Sequence, residues 1–183
     1  MAEKLSKSLH SLKYDMVSGD WFEYKPDMGR WYRLNSFEID QKVFNLLKSD
    51  PQVKGLLTSD YRNRVKSALE MLNGTNFEAA RDENTKLGYI LFKNGVLCLR
   101  TMKLLSHNKD YYFTHGLNIE YNPNAKLSIH MKTFLTSISN MDRTVLQVLR
   151  AFTKCVLLRD NQYQISLYLY GPGGTGKSTF EKL

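Results

Sequence analysis

The residues whose types and spacing could do chemistry form one run: Gly171, Pro172, Gly173, Gly174, Thr175, Gly176, Lys177, Ser178 and Thr179. The spacing is GxxxxGK[ST]. Glycines let the backbone pass close to a phosphate, and the amides from Gly173 to Thr179 are placed to turn inward as an anion nest. The start of the following helix adds its positive dipole end. Lys177 is expected to reach β- and γ-phosphates, the Ser178 hydroxyl to ligate Mg²⁺, and Thr179 to add a phosphate contact. ATP and Mg²⁺ are therefore the expected ligands. The bland alternative is a flexible glycine-rich terminus.

Such a loop must be held by a strand before it and a helix after it. Ile165-Ser166-Leu167-Tyr168-Leu169-Tyr170 immediately precedes it and is predicted as a buried strand of a parallel sheet. Its ladder partners, and with them the acid that holds Mg²⁺, a water-orienting group and an arginine finger, belong to segments after the loop. The sequence stops at Leu183. The expectation is an apolar strand with bare edges and a chain that binds nucleotide without hydrolysing it alone. No catalytic residue is assigned.

Of the net charge of +8, residues 126–183 carry +5, so the basic excess gathers around the loop. Hydrophobic content of 42% and charged content of 24% suit a soluble globular chain with room for one domain and a fraction. No apolar run is long enough for a membrane span, and the first fifteen residues lack a signal core. A soluble, unsecreted protein is expected. Cys98 and Cys155 sit apart in apolar segments and read as core residues, with neither a disulfide nor a zinc site implied. Asn73-Gly74-Thr75 reads as a turn. The wealth of Lys, Asn, Tyr and Ile suggests an AT-rich coding genome, as in an organelle, plasmid, phage or virus.

Upstream, Trp21–Lys25 and Arg30–Leu34 flank Pro26-Asp27-Met28-Gly29 and read as a hairpin. Its aromatics either hold a small sheet together or stack on single-stranded nucleic acid. A helix is predicted over 37–49, with Phe37, Val43, Phe44 and Leu47 as its stripe and Asp50-Pro51 as its stop. A second follows over 61–72, with Val65, Leu69 and Leu72 inward and Arg62, Arg64 and Lys66 as a basic patch that reads as a solvated helix face. Residues 76–88 read as irregular. Tyr89–Phe92 and Val96–Leu99 around Asn94-Gly95 predict a hairpin closed by a type I′ turn. Thr114–Ile119 is a candidate short strand, and His107, His115 and Asp110 read as structural or exposed.

Leu127, Met131, Phe134, Leu135 and Ile138 predict one helix face. In the next helix Val145, Leu149, Phe152 and Val156 recur on one side. Arg143, Arg150 and Lys154 form a stripe about 200° away. That stripe reads as a solvated face or as a contact for DNA or a neighbouring subunit.

Phe92-x-Asn94-Gly95-Val96-Leu97-x-Leu99, then Thr101, Leu104 and His107, then Phe113-Thr114, Tyr121-x-Pro123-x-Ala125 and Phe134-Leu135 resemble the segment before the helicase core in phage, plasmid and poxvirus-type primase–helicases. The helices up to Leu158 and the run into the loop resemble the opening of a superfamily III helicase domain. The resemblance implies an α+β domain of helices and β-hairpins over residues 1–125. It also implies the truncated start of an AAA+-like α/β P-loop domain over 126–183. It further implies an ATPase that assembles as a ring and acts on DNA in replication. A relative of such a protein, completed by another chain or left as a gene remnant, is the expectation. A non-enzymatic nucleic-acid-binding or oligomerisation module is the alternative.

Overall fold

The computed structural model describes residues 10–48, 58–158 and 164–182. The Asp50-Pro51 stop, Ser49, residues 159–163 and Leu183 lie outside them. The chain divides into two compact units, residues 1–121 and 122–183.

The first unit is α+β, as expected. Strands β1 (Leu12–Asp15), β2 (Asp20–Lys25), β3 (Arg30–Leu34) and β4 (Gly74–Thr75) form a sheet in the order β3-β2-β1-β4. β1, β2 and β3 are antiparallel, and β4 runs parallel to β1. The 21–34 hairpin forms where the sequence predicts it, with Gly29 at φ +63° in its turn. β1 has no counterpart among the predicted elements. Asn73 is buried rather than a surface turn residue, and its amide donates to Leu69 O at 3.0 Å.

Two helices cover one face of this sheet. α1 (Ser36–Lys48) starts on a reciprocal capping box, in which Asn35 Oδ1 accepts from Glu38 N at 2.9 Å and Glu38 Oε2 accepts from Asn35 N at 2.7 Å. α2 (Ser59–Leu72) starts on Thr58, whose hydroxyl accepts from Tyr61 N. Leu12 and Trp21 pack with Ile39, Val43 and Leu47 of α1 and with Val65 and Leu69 of α2. The helix positions match the sequence pattern, but two of their faces do not. Phe37 is 68% exposed and Ile39 takes its place inside, and Leu72 also faces out. The predicted basic patch is largely neutralised. Arg64 pairs with Asp60 at 2.9 Å, Lys66 pairs with Asp40 at 2.9 Å, and Arg62 lies over the Phe44 ring.

The other face carries an aromatic cluster. Residues 76–88, expected to be irregular, form α3 (Phe77–Leu87). Asn76 caps it, its Oδ1 accepting from Ala79 N at 2.9 Å, and this cap is a helix-start signal that the high polarity masks. Phe77 meets Phe22 at 4.5 Å between ring centroids, and its ring stands edge-on to both Trp31 and Tyr112. Trp31 is 1% exposed and stacks on Tyr112 at 5.8 Å. Its indole N–H donates to Lys109 O at 2.9 Å, and its backbone N–H donates to Phe113 O at 2.7 Å. The two tryptophans of the hairpin are thus consumed in packing, the blander of the two readings.

A second sheet, β5 (Tyr89–Phe92), β6 (Gly95–Cys98) and β7 (Lys103–Leu105), is an antiparallel meander. Its hairpin forms as predicted, but the turn is not type I′, because neither Lys93 nor Asn94 has a positive φ. Asn-Gly has other duties. A Cβ on Gly95 would lie 2.5 Å from Leu105 O. The Asn94 side chain clamps Tyr121, accepting from its N–H at 2.8 Å and donating to its carbonyl at 3.0 Å. Thr114–Ile119 is not a strand, yet it runs beside β5, with Leu117 N on Leu91 O at 2.8 Å and Lys93 N on Ile119 O at 2.9 Å. His107 holds Phe92 O at 3.0 Å and packs under Gly29, so it is structural, as expected. His115 bonds Thr114 at 2.8 Å.

The second unit holds α4 (Ile129–Ile138), α5 (Arg143–Leu158) and α6 (Lys177–Glu181). Ser128 caps α4 through Met131 N, and Asp142 accepts from Thr144 N at the start of α5. Met131, Phe134 and Leu135 are half-buried, whereas Leu127 is exposed. On α5 Leu149 is buried and Phe152 half-buried, but Val145 and Val156, expected inside, are exposed. Among the described residues no helix is long and apolar enough to cross a membrane.

Two substitutions test this packing. Trp31→Ala should lower stability by about 3–5 kcal/mol, the usual cost of emptying a buried aromatic site. Trp31→Phe should cost less, because it keeps an aromatic ring and loses the Lys109 bond and only part of the buried volume. Urea unfolding followed by far-UV circular dichroism measures both. Asp15 is 6% exposed and accepts from Ser18 N at 3.2 Å, Phe77 N at 3.2 Å and Val17 N at 3.4 Å. Burial alone would raise its pKa, but these hydrogen bonds prevail and hold the carboxyl below its ordinary range. Its contribution is therefore complete above the unfolded pKa of about 3.9 and is lost as pH falls through the lower folded value. Asp15→Asn should cost about 1–3 kcal/mol at pH 7. The gap from wild type should narrow in urea melts run at successively lower pH below about 4.

Candidate functional site

All nine residues singled out in the sequence lie together in the second unit. Gly171, Gly174 and Gly176 have φ of +156°, +78° and +87°, a path that L side chains resist. Around Gly173 and Gly174 the space that a Cβ would fill is open, so the backbone there can be approached closely. The Thr175 hydroxyl donates to Pro172 O at 3.0 Å and closes the turn from within.

Lys177 folds back across this turn. Its ammonium donates to Gly171 O at 2.8 Å, to Pro172 O at 2.7 Å and to Thr175 Oγ1 at 3.2 Å. One cation is thus held by the rim of the loop that its own helix begins. Gly176 is the N-cap of α6 and offers no side-chain cap. Its carbonyl accepts from Thr179 N at 3.1 Å and Phe180 N at 3.0 Å. The amides of Lys177 and Ser178 precede those bonds and are first-turn donors with no intrahelical acceptor. Ser178 and Thr179 are exposed. The donor set is one cation, first-turn amides and two hydroxyls beside glycines without side chains, which fits a phosphate chain. Among the described residues no group of three or more His, Cys, Asp and Glu side chains could hold a metal ion.

The strand expected before the loop is not formed. Residues 165–170 have no ladder partner among the described residues, and Tyr168 and Tyr170 are 84% and 89% exposed. Parallel-sheet strands are stable only between neighbours, and the described residues supply none.

Arg143, Arg150 and Lys154 are exposed along α5, as predicted. Among the described residues every ion pair lies in the first unit, so this stripe faces no carboxylate partner there. The sequence does not reveal that Phe134, read only as a core position of α4, sets its ring against Gly176. A Cβ there would lie 2.9 Å from Phe134 Cε2.

No curated protein matches the chain significantly. A family model described as D5 N terminal like matches residues 10–140, which take in the described part of the first unit and run just past the end of α4. The Asn94–Tyr121 clamp, the Gly95 approach and the His107 contact, made by residues that carry the resemblance, all lie within that span. The chain belongs to the D5 N terminal like family, the N-terminal region of phage and viral D5-like primase–helicase proteins.

Proposed function

We propose that residues 171–179 bind the phosphate chain of ATP with Mg²⁺, as the opening of a superfamily III helicase ATPase domain appended to the D5-like region. The observation that carries this reading is the Lys177 ammonium held over a turn of positive-φ glycines. Gly173 and Gly174 would let the phosphates approach the backbone, Lys177 would neutralise the β- and γ-phosphates, and Thr179 would add a hydroxyl contact. Ser178 would supply one ligand to Mg²⁺, and the bound ion would offset the charge of the triphosphate. Turnover calls for more. A second-strand acid and a water-orienting group act beside a paired strand, and the exposed, unpaired 165–170 run supports binding without hydrolysis by this chain alone. The same run supports completion by strands of another chain or by neighbours in a ring.

A second role in the same reading is contact with DNA through Arg143, Arg150 and Lys154. Their axial spacings of roughly 10.5 and 6 Å correspond to about three and two phosphate steps of one duplex strand. A non-enzymatic nucleic-acid-binding module is the competing reading, favoured only by this stripe.

Titration with a fluorescent ATP analogue separates the two. The wild type should bind with Mg²⁺ and release no phosphate, and Lys177→Ala should abolish binding while leaving the circular dichroism spectrum unchanged. DNA binding by wild type without any nucleotide binding would favour the competing module. For the stripe, the double variant Arg150→Ala, Lys154→Ala should weaken DNA binding. It should also make log K less steep against log salt, by about 0.9 for each phosphate no longer neutralised. Fluorescence anisotropy at several salt concentrations reads that slope.

A further inference from the structure

Three of the four loop glycines, Gly171, Gly173 and Gly174, meet nothing outside the loop. A Cβ on Gly171 would touch only Thr175 Oγ1, at 3.6 Å, and one on Gly173 or Gly174 would touch nothing within 4 Å. Gly176 is different. The Phe134 ring of α4 stands against it, with Cε2, Cζ and Cδ2 at 2.9, 3.7 and 3.8 Å from the position a Cβ would take. Gly176 is also where the turn becomes α6, because its carbonyl accepts from Thr179 N and Phe180 N. The residue after it is Lys177, whose ammonium spans the turn to Gly171 O and Pro172 O.

From this juxtaposition we infer that Phe134 is a positioning residue for the phosphate loop: its ring is the wall that fixes Gly176 and thereby the direction of the Lys177 and Ser178 amides and the Lys177 side chain. The inference rests on the proposed nucleotide binding and adds to it the element that sets the loop's shape. A half-buried aromatic ring is a stiff support, with two torsions that packing restricts. Removing it leaves Gly176 free to sample the wide φ range open to glycine, and the donors beyond it lose their common aim. Because binding and positioning are linked, a triphosphate that fixes the loop must in return restrict the Phe134 ring.

The test is equilibrium binding of a fluorescent ATP analogue with Mg²⁺ to the full chain. Phe134→Ala should weaken binding about tenfold, in the range found when a supporting residue behind a ligand-holding group is removed, and Phe134→Leu should restore part of it. Gly176→Ala should weaken binding in the wild type but less in the Phe134→Ala background, where the ring no longer opposes the added methyl. That non-additivity is the readout which general destabilisation would not produce. Equal binding by Phe134→Ala and wild type, with Lys177→Ala inactive, overturns the inference and leaves the nucleotide reading standing. Additive losses in the double variant also overturn it. Undiminished binding by Lys177→Ala overturns the nucleotide reading itself and takes this inference with it. If Phe134→Ala fails to fold, the Phe134→Leu and Gly176→Ala pair completes the same cycle.

Discussion

The first unit depends on how Trp31 is satisfied. A buried indole gains from aromatic neighbours and usually finds a partner for its N–H; Trp31 has both, whereas the buried Trp21 Nε1 has no hydrogen-bond partner among the described residues. Around Trp31, Phe77 and Tyr112 supply the rings, and Lys109 O accepts the proton at 2.9 Å. Two of these partners, together with Phe113 O on the Trp31 backbone, come from one stretch of chain, residues 109–113. That stretch continues along β5 through Leu117 and Ile119 and ends where Asn94 grips both backbone groups of Tyr121. A segment with almost no regular structure thereby straps the four-stranded sheet to the meander. Its irregularity follows from its task. Regular secondary structure would use up the carbonyls and amides that Trp31, Leu91, Lys93 and Asn94 engage.

The same strap accounts for which parts of the fold are legible in the sequence. Periodicity and turn chemistry are local, so both hairpins and helices α1, α2, α4 and α5 can be read directly. What escapes such reading is non-local. Asn94-Gly95 has the composition of a type I′ turn, but its glycine is required by the Leu105 carbonyl and its asparagine by Tyr121, far along the chain. Phe37 fits the apolar stripe of α1 by type and falls outside it by angle, where Ile39 faces the sheet. β4 is two residues long and exists only because β1 lies beside it. α3 is hidden by its polarity, since it buries little beyond Phe77 and Asn84. Of the loop, every residue of the motif is legible, but the ring behind Gly176 is not. No pattern in a sequence relates position 134 to position 176.

The second unit has a different balance. Leu149 and Ser139 are buried, while Val145, Val148, Val156, Leu157, Ile165, Tyr168 and Tyr170 are exposed. Apolar area left facing water forgoes about 25 cal/mol per Å². Residues 165–170 leave such area uncovered among the described residues, and this is the observation behind the proposal that further strands complete the second unit. Membership of the D5-like family sets the first unit beside primase–helicases. The glycines and Lys177 are the groups through which the second unit is proposed to hold a triphosphate.

The most direct measurement is an amide-resolved NMR titration of the full chain with ATP and Mg²⁺. Saturable shifts concentrated in Gly171–Thr179, with the Phe134 ring resonances moving over the same range, are the predicted result. Absence of shifts in the loop at millimolar nucleotide, or larger shifts in residues 10–121 than in the loop, would contradict the account.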